Sequence, residues 1–111
     1  MQHNSKKIII NTSDKVHVLN AGDIIYIKAK ASYSVFVLTN KEEVLSSQPL
    51  ALYSKSLQSA GFYRVHKSFL VNLNHIAEII RSGDVVLTGG VEIPIAKGNI
   101  KPVIEALIKL Q

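Results

Sequence analysis

"YRVHKSFLVNLNHI", residues 63–76, sets two cations and two histidines among apolar side chains. Arg64, His66, Lys67 and His75 stand beside Val65, Phe69, Leu70 and Val71. A core strand, a catalytic histidine cluster and a surface that meets an anion would each use these residues differently. Burying Lys67 unpaired would be too costly, so its ammonium must reach solvent or an anion. Val65, Phe69, Leu70, Val71 and Ile76 would anchor the segment, leaving His66, Lys67 and Ser68 to project from it.

The chain around this stretch has 111 residues, the size of one domain with one modest core, so residues 1–111 are read as a single unit. An apolar content of 47% favours a compact globule over disorder. No apolar run approaches the roughly 20 residues that cross a bilayer, and "MQHNSKK" leads into no signal-like stretch. The expectation is a soluble cytoplasmic protein with no membrane contact. Without cysteine there is no disulfide frame and no thiolate metal site.

Thirteen Lys+Arg against eight Asp+Glu give a net charge of +5. The pI of 9.6 lies above the threshold of about 9 that marks many nucleic-acid-binding domains. The basic residues fall in small groups: Lys28 with Lys30, Arg64 with Lys67, and Lys97 with Lys101. Apart from Glu78, the acids lie elsewhere, at Asp14, Asp23, Glu42, Glu43, Asp84, Glu92 and Glu105.

The first two-thirds of the chain reads mainly as short strands. "KKIIIN" (6–11) and "KVHVLN" (15–20) flank the polar turn "TSD". In the second run Val16 and Val18 alternate with His17, which predicts an apolar face and an outward His17. "DIIYIKAKA" (23–31), "YSVFVLT" (33–39) and a short run near 43–47 continue the series. At 48 the period changes. Leu50, Tyr53 and Leu57 recur at helical spacing behind Pro49, and Gly61 stands where a left-handed C-terminal residue belongs, so a helix is predicted over 49–59. "AEIIRS" (77–82), "DVVLTG" (84–89) and "VEIPIA" (91–96) return to strand. "NIKPVIEALIKLQ" closes with a second helical period, Ile100, Val103, Ile104, Leu107 and Leu110, with Asn99 as candidate N-cap. The chain therefore reads as one mainly β domain with two short helices.

Several chemistries lack their parts. His66 and His75 are nine residues apart, in no compact ligand pair, with Glu78 the one carboxylate nearby. No nucleophile elbow surrounds Ser68, and no phosphate-cradling glycine motif is present; "TGG" at 88–90 reads as hairpin punctuation. No metal, cofactor or enzymatic activity is expected. His66 has two readings: a half-buried imidazole bonded to backbone, or a donor to a phosphate or base edge.

The segment "FYRVHKSFLVNLNHIAEI" resembles the most recognisable stretch of the LytTR domain, the DNA-binding output module of many bacterial response regulators. Phe62, Arg64, His66, Lys67, Ser68, Val71 and Asn72 carry the match. "GDIIYIKAKASYSVFVLTN" is similar to the family's opening, with Ile25, Tyr26, Ile27, Ala29 and Tyr33 in place, and "EIPIAKGNIKPVIEAL" resembles its closing motif and helix. The resemblance runs from about residue 7 to 109. It implies small antiparallel β-sheets packed on one another, with loops entering successive major grooves of DNA. The DNA-facing candidates that it implies are Lys30, Ala31, Ser32 and Tyr33 in one turn, and His66, Lys67 and Ser68 in a second. A third group is Ala96, Lys97, Gly98 and Asn99, ahead of the last helix. Lysines neutralise phosphate and donate to guanine, Ser and Asn bond phosphates or base edges, and a helix N-terminus offers N–H groups to an anion. Where the family commonly has Ser–Arg–Arg, this chain has Ala96, Lys97 and Gly98. Lysine lacks the planar fork of arginine and Gly98 has no side chain, so weaker or altered base reading is expected there. Arg64 and Asn72 are expected to be structural, Asn72 by bonding turn backbone.

The resemblance implies a sequence-specific regulator that binds double-stranded DNA, two copies side by side on paired direct repeats. A receiver domain or sensor kinase would complete the system. One rival is a β-rich protein-interaction module of the same fold that has lost DNA binding, which Gly98 favours. Another is a single-strand binder, for which seven Phe+Tyr supply few stacking platforms.

Overall fold

A computed structural model describes residues 6–111. Strands β1 (Lys7–Asn11) and β2 (Val16–Asn20) pair antiparallel as a ribbon. In the turn between them Thr12 N–H donates to the Lys15 carbonyl at 2.9 Å. Strands β3 (Ile24–Lys30), β4 (Tyr33–Leu38), β5 (Glu43–Ser46), β6 (Phe62–His66) and β7 (Phe69–Asn72) form an antiparallel sheet in the order β5-β4-β3-β7-β6. Strands β8 (Ile76–Ile80), β9 (Asp84–Leu87) and β10 (Glu92–Pro94) form a second in the order β10-β9-β8. Pro94, which cannot donate to a ladder, sits on an edge strand. Helix α1 (Leu50–Ser56) lies between β5 and β6, and α2 (Ile100–Ile108) follows β10. The mainly β architecture with two short helices and small antiparallel sheets is as the sequence implied.

The five-stranded sheet separates two cores. Leu70 of β7 packs with Ile10 of the ribbon, Ile27 and Phe36 of the sheet, and Leu50 and Tyr53 of α1. Its neighbour Val71 points the other way, into a core shared with Val85 and Leu87 of β9, Ile93 of β10 and Val103 of α2. Burial on both faces explains why "FLV" is a continuous apolar run rather than an alternating one. Phe36 and Tyr53 meet edge to face with centroids 4.9 Å apart, and the Tyr53 hydroxyl lies 2.6 Å from buried Ser46 Oγ.

Four local expectations need correction. In β2 the faces are reversed: Val16 and Val18 are exposed, whereas His17 and Leu19 are half-buried. The register explains it, because Ile10 faces His17 and Ile8 faces Leu19. Cross-strand partners share a face, so the buried Ile8 and Ile10 dictate which side of β2 turns inward. The first helix is shorter than 49–59, with Pro49 just ahead of it and a 3-10 turn, Gln58–Ala60, after it. Gly61 then takes the left-handed φ of +88° expected of it. Asn99 does not cap α2 with its side chain; its amide donates to the Val65 carbonyl at 3.0 Å instead. Leu110 lies beyond the end of α2 and is exposed.

Asn72 is fully buried at the end of β7 and is the polar pivot of the fold. Its Nδ2 donates to the carbonyls of Ala21 (3.1 Å) and Ile24 (2.9 Å), and its Oδ1 accepts the Asn74 N–H at 3.0 Å. Three hydrogen bonds satisfy the amide and join the start of β3 to the turn that leads into β8. Asn72→Ala is expected to cost about 2–4 kcal/mol, because buried backbone groups lose their partner. Urea denaturation would check this, and a loss below about 1 kcal/mol would show that water replaces the amide.

Candidate nucleic-acid interface

Strands β3 and β7 are antiparallel neighbours, with Lys28 opposite Phe69, and each also carries its hairpin partner. The β3–β4 turn and the β6–β7 turn therefore leave the sheet at the same end. A hydrogen bond from Ala29 N–H to the Ser68 carbonyl, 2.9 Å, ties them together. The segment from Ala96 to Asn99 joins them at edge strand β6. There the Val65 carbonyl accepts both Ala96 N–H at 2.8 Å and the Asn99 side-chain amide. Val65 is the extra residue of a bulge, since Arg64 pairs with Leu70 and His66 with Phe69. Its side chain is fully buried while its carbonyl holds the third segment, which also covers part of an open sheet edge. Three turns distant in sequence are thus fixed to one end of one sheet.

Each turn presents a cation. Lys30, Lys67 and Lys97 are exposed, and none joins an ion pair among the described residues. Lys28 differs: its Nζ lies 3.6 Å from Glu43 Oε2. The opposite end of the sheet carries Asp23 ahead of β3 and Glu42 after β4, where Thr39 N–H bonds the Asp23 carbonyl. That end carries both signs, since the exposed Lys41 adjoins Glu42, whereas the three turns carry lysines and no Asp or Glu. Lys101, exposed in the first turn of α2, is a further cation near the three turns.

The remaining candidates differ in availability. Ser32 is exposed, and Tyr33 is 46% exposed, an aromatic face offered to solvent. Ser68 is half-buried and contributes mainly its backbone. His66 is half-buried with its ring 5.7 Å from that of Phe69, and its Nδ1 accepts the Ser68 N–H at 3.1 Å. That bond gives Nδ1 the acceptor role and leaves Nε2 to carry the proton. Asn99 sits in the third segment, but its amide nitrogen is committed to Val65. Gly98 is exposed and leaves the centre of that segment without a side chain. His75 lies away from this end and bonds the Gly22 carbonyl (2.7 Å) and Thr88 Oγ1 (3.0 Å). One contact was not foreseen in the sequence: Arg64 Nη2 donates to the Lys67 carbonyl. Its only sequence signal is a guanidinium three residues before the turn.

The surface is built of turns. Among the described residues no three His, Asp or Glu side chains group as metal ligands, and no helix is long and apolar enough to cross a membrane. Exposed lysines on rigid turns can contact phosphates and base edges.

Comparison with known proteins places the chain in a family. Residues 14–108 match the model of the LytTr DNA-binding domain family, and the chain belongs to that family of transcription-regulating, DNA-binding modules. It is 30% identical over 96 residues to the transcriptional regulatory protein LytR of Staphylococcus aureus, covering 83% of this chain and 39% of that protein. It is 28% identical over 99 residues to the sensory transduction protein LytT of Bacillus anthracis, covering 86% and 40%. The chain thus spans about two fifths of the length of these relatives. A solved LytTr DNA-binding domain of a putative methyl-accepting/DNA response regulator from Bacillus cereus shares the fold. The two superpose with a TM-score of 0.75 at 21% identity, over 91% of this chain and 95% of that one.

The β3–β4 turn contains a testable strain. Ala31 has φ +57°, a left-handed conformation that costs a residue with a Cβ about 1–2 kcal/mol. Ala31→Gly should leave the melting temperature equal or higher, whereas Ala31→Val, β-branched, should lower it. The reverse order in thermal unfolding would refute the strain.

Proposed function

We propose that this chain is the output module of a bacterial transcription regulator, non-enzymatic and cytoplasmic, that reads duplex DNA through its three clustered turns. The turns enter the major groove at paired direct repeats, with two copies of the module side by side. Lys30, Lys67 and Lys97 supply phosphate and guanine contacts, while Ser32, Tyr33 and Ser68 add polar and apolar ones. The observation that carries this reading is the convergence of three unpaired, exposed lysines at one end of a rigid sheet. A receiver domain or a sensor kinase elsewhere in the system would set when the module binds.

Lys67 is the residue of greatest weight, since its ammonium is free while its backbone is held on both sides of the turn. Lys67→Ala should reduce specific binding about 10- to 100-fold, the worth of one good base contact. The melting temperature should hardly change, because the side chain packs against nothing that folding needs. Electrophoretic mobility with duplex promoter fragments over a salt series is the measurement. Specific retention should weaken steeply with salt as counterions are released. A wild-type chain that shows no preference over random duplex at low salt would sink the reading. That result would favour the alternative, a protein-interaction module of the same fold, to which the bare Gly98 and the committed Asn99 lend support.

A further inference from the structure

We propose that Arg64 and His66 clamp a single peptide group, the one joining Lys67 to Ser68, and thereby aim the Lys67 side chain. The inference rests on the DNA-reading role given above and assigns both residues as positioning residues for it. Arg64 Nη2 donates to the carbonyl of Lys67, and Nδ1 of His66 accepts the N–H of Ser68. These are the two polar groups of the same peptide plane. Gripped from both sides, that plane cannot rotate, and its orientation sets the direction in which the Lys67 side chain leaves the turn.

The turn needs such support. His66 pairs with Phe69, so the connection is a two-residue hairpin loop. Two-residue loops favour backbones with positive φ, which match the twist of the flanking strands. Among the described non-glycine residues only Ala31 and Lys41 have positive φ, so Lys67 and Ser68 do not adopt that geometry. Side-chain hydrogen bonds here replace what the backbone does not supply. The next carbonyl, that of Ser68, is held by Ala29 N–H, so three successive polar groups of the turn are fixed.

Arg64 has no other partner for its buried Nε, whose one unsatisfied N–H has to be offset by the contacts of the rest of the side chain. The same guanidinium sets Nη2 on the Lys67 carbonyl at an exposed position. His66 is steadied by the Phe69 ring. An imidazole used in this way acts on DNA through its neighbour, the first of the two readings of His66 left open by the sequence.

Two substitutions at one position separate positioning from contact. In His66→Asn the side-chain oxygen can accept the N–H two residues on, as asparagine does in Asx-turns. In His66→Phe the ring packing is kept and the acceptor is lost. The ratio of specific to random-duplex affinity should fall at least tenfold in His66→Phe and be largely restored in His66→Asn. Equal loss in both variants would mean that the imidazole itself touches DNA, and no loss in either would mean that the peptide needs no clamp; each overturns the proposal. Arg64→Met, which keeps length and removes the donors, tests the carbonyl side and should lower the same ratio. Should His66→Phe not fold, the Arg64→Met result decides alone. Hydrogen exchange of the Ser68 amide in the DNA-free protein checks the clamp independently. The amide should be protected in the wild type and in His66→Asn, and exposed in His66→Phe. An unprotected Ser68 amide in the wild type would overturn the clamp whatever the protein binds. Loss of wild-type DNA specificity with a protected amide would instead overturn the function proposed above.

Discussion

Burial of one sheet on both faces is the constraint from which the rest of the structure follows. Strands β3 and β7 lie at its centre, and Leu70 and Val71, adjacent in sequence, serve opposite cores. Each core is small in a chain of this size, and the sheet contributes residues to both. Apolar burial places the elements that cover the faces, and polar bonds such as that between His75 and the Gly22 carbonyl supplement it. The polar bonds are concentrated where the coverage ends, at Asn72 on one side and at the Val65 and Ser68 carbonyls on the other.

This division separates stability from recognition. Side chains that hold the sheets are apolar and buried, while those offered to a ligand stand on turns whose backbones are bonded to the sheet. Rigid turns lose little conformational entropy on binding, so more of the contact energy survives as affinity. The price is local: a left-handed Ala31 and a buried Arg64 Nε without a partner both occur at this end.

How much was legible in the sequence depended on whether a signal was local. The strands from "IIYIKAK" to "FLVN" were evident from β-branched and aromatic runs, and Gly61 marked the end of the 3-10 turn that follows α1. The facing of β2 was not. Alternation in "KVHVLN" gave one answer, and pairing with Ile8 and Ile10 imposed the other, which a single strand cannot reveal. Asn99 failed similarly: N-cap propensity is a local preference, and a distant bulged carbonyl outcompeted it. The cations of the candidate interface could be named from the resemblance and their spacing. Their convergence required the register of β3 against β7, and the contact of Arg64 with a turn carbonyl depends on side-chain direction that no pattern encodes.

The order β4-β3-β7-β6 also acts as a ruler. The hairpin turns carrying Lys30 and Lys67 are centred two strand spacings apart, about 10 Å. Along a duplex that interval corresponds to about three base pairs at 3.4 Å each. The spacing is set by backbone hydrogen bonds, so under the proposed reading substitutions in the turns would change which bases are preferred but not how far apart they lie. If the turns read DNA as proposed, a lineage carrying this sheet would exchange the letters of its target while keeping the target's metre.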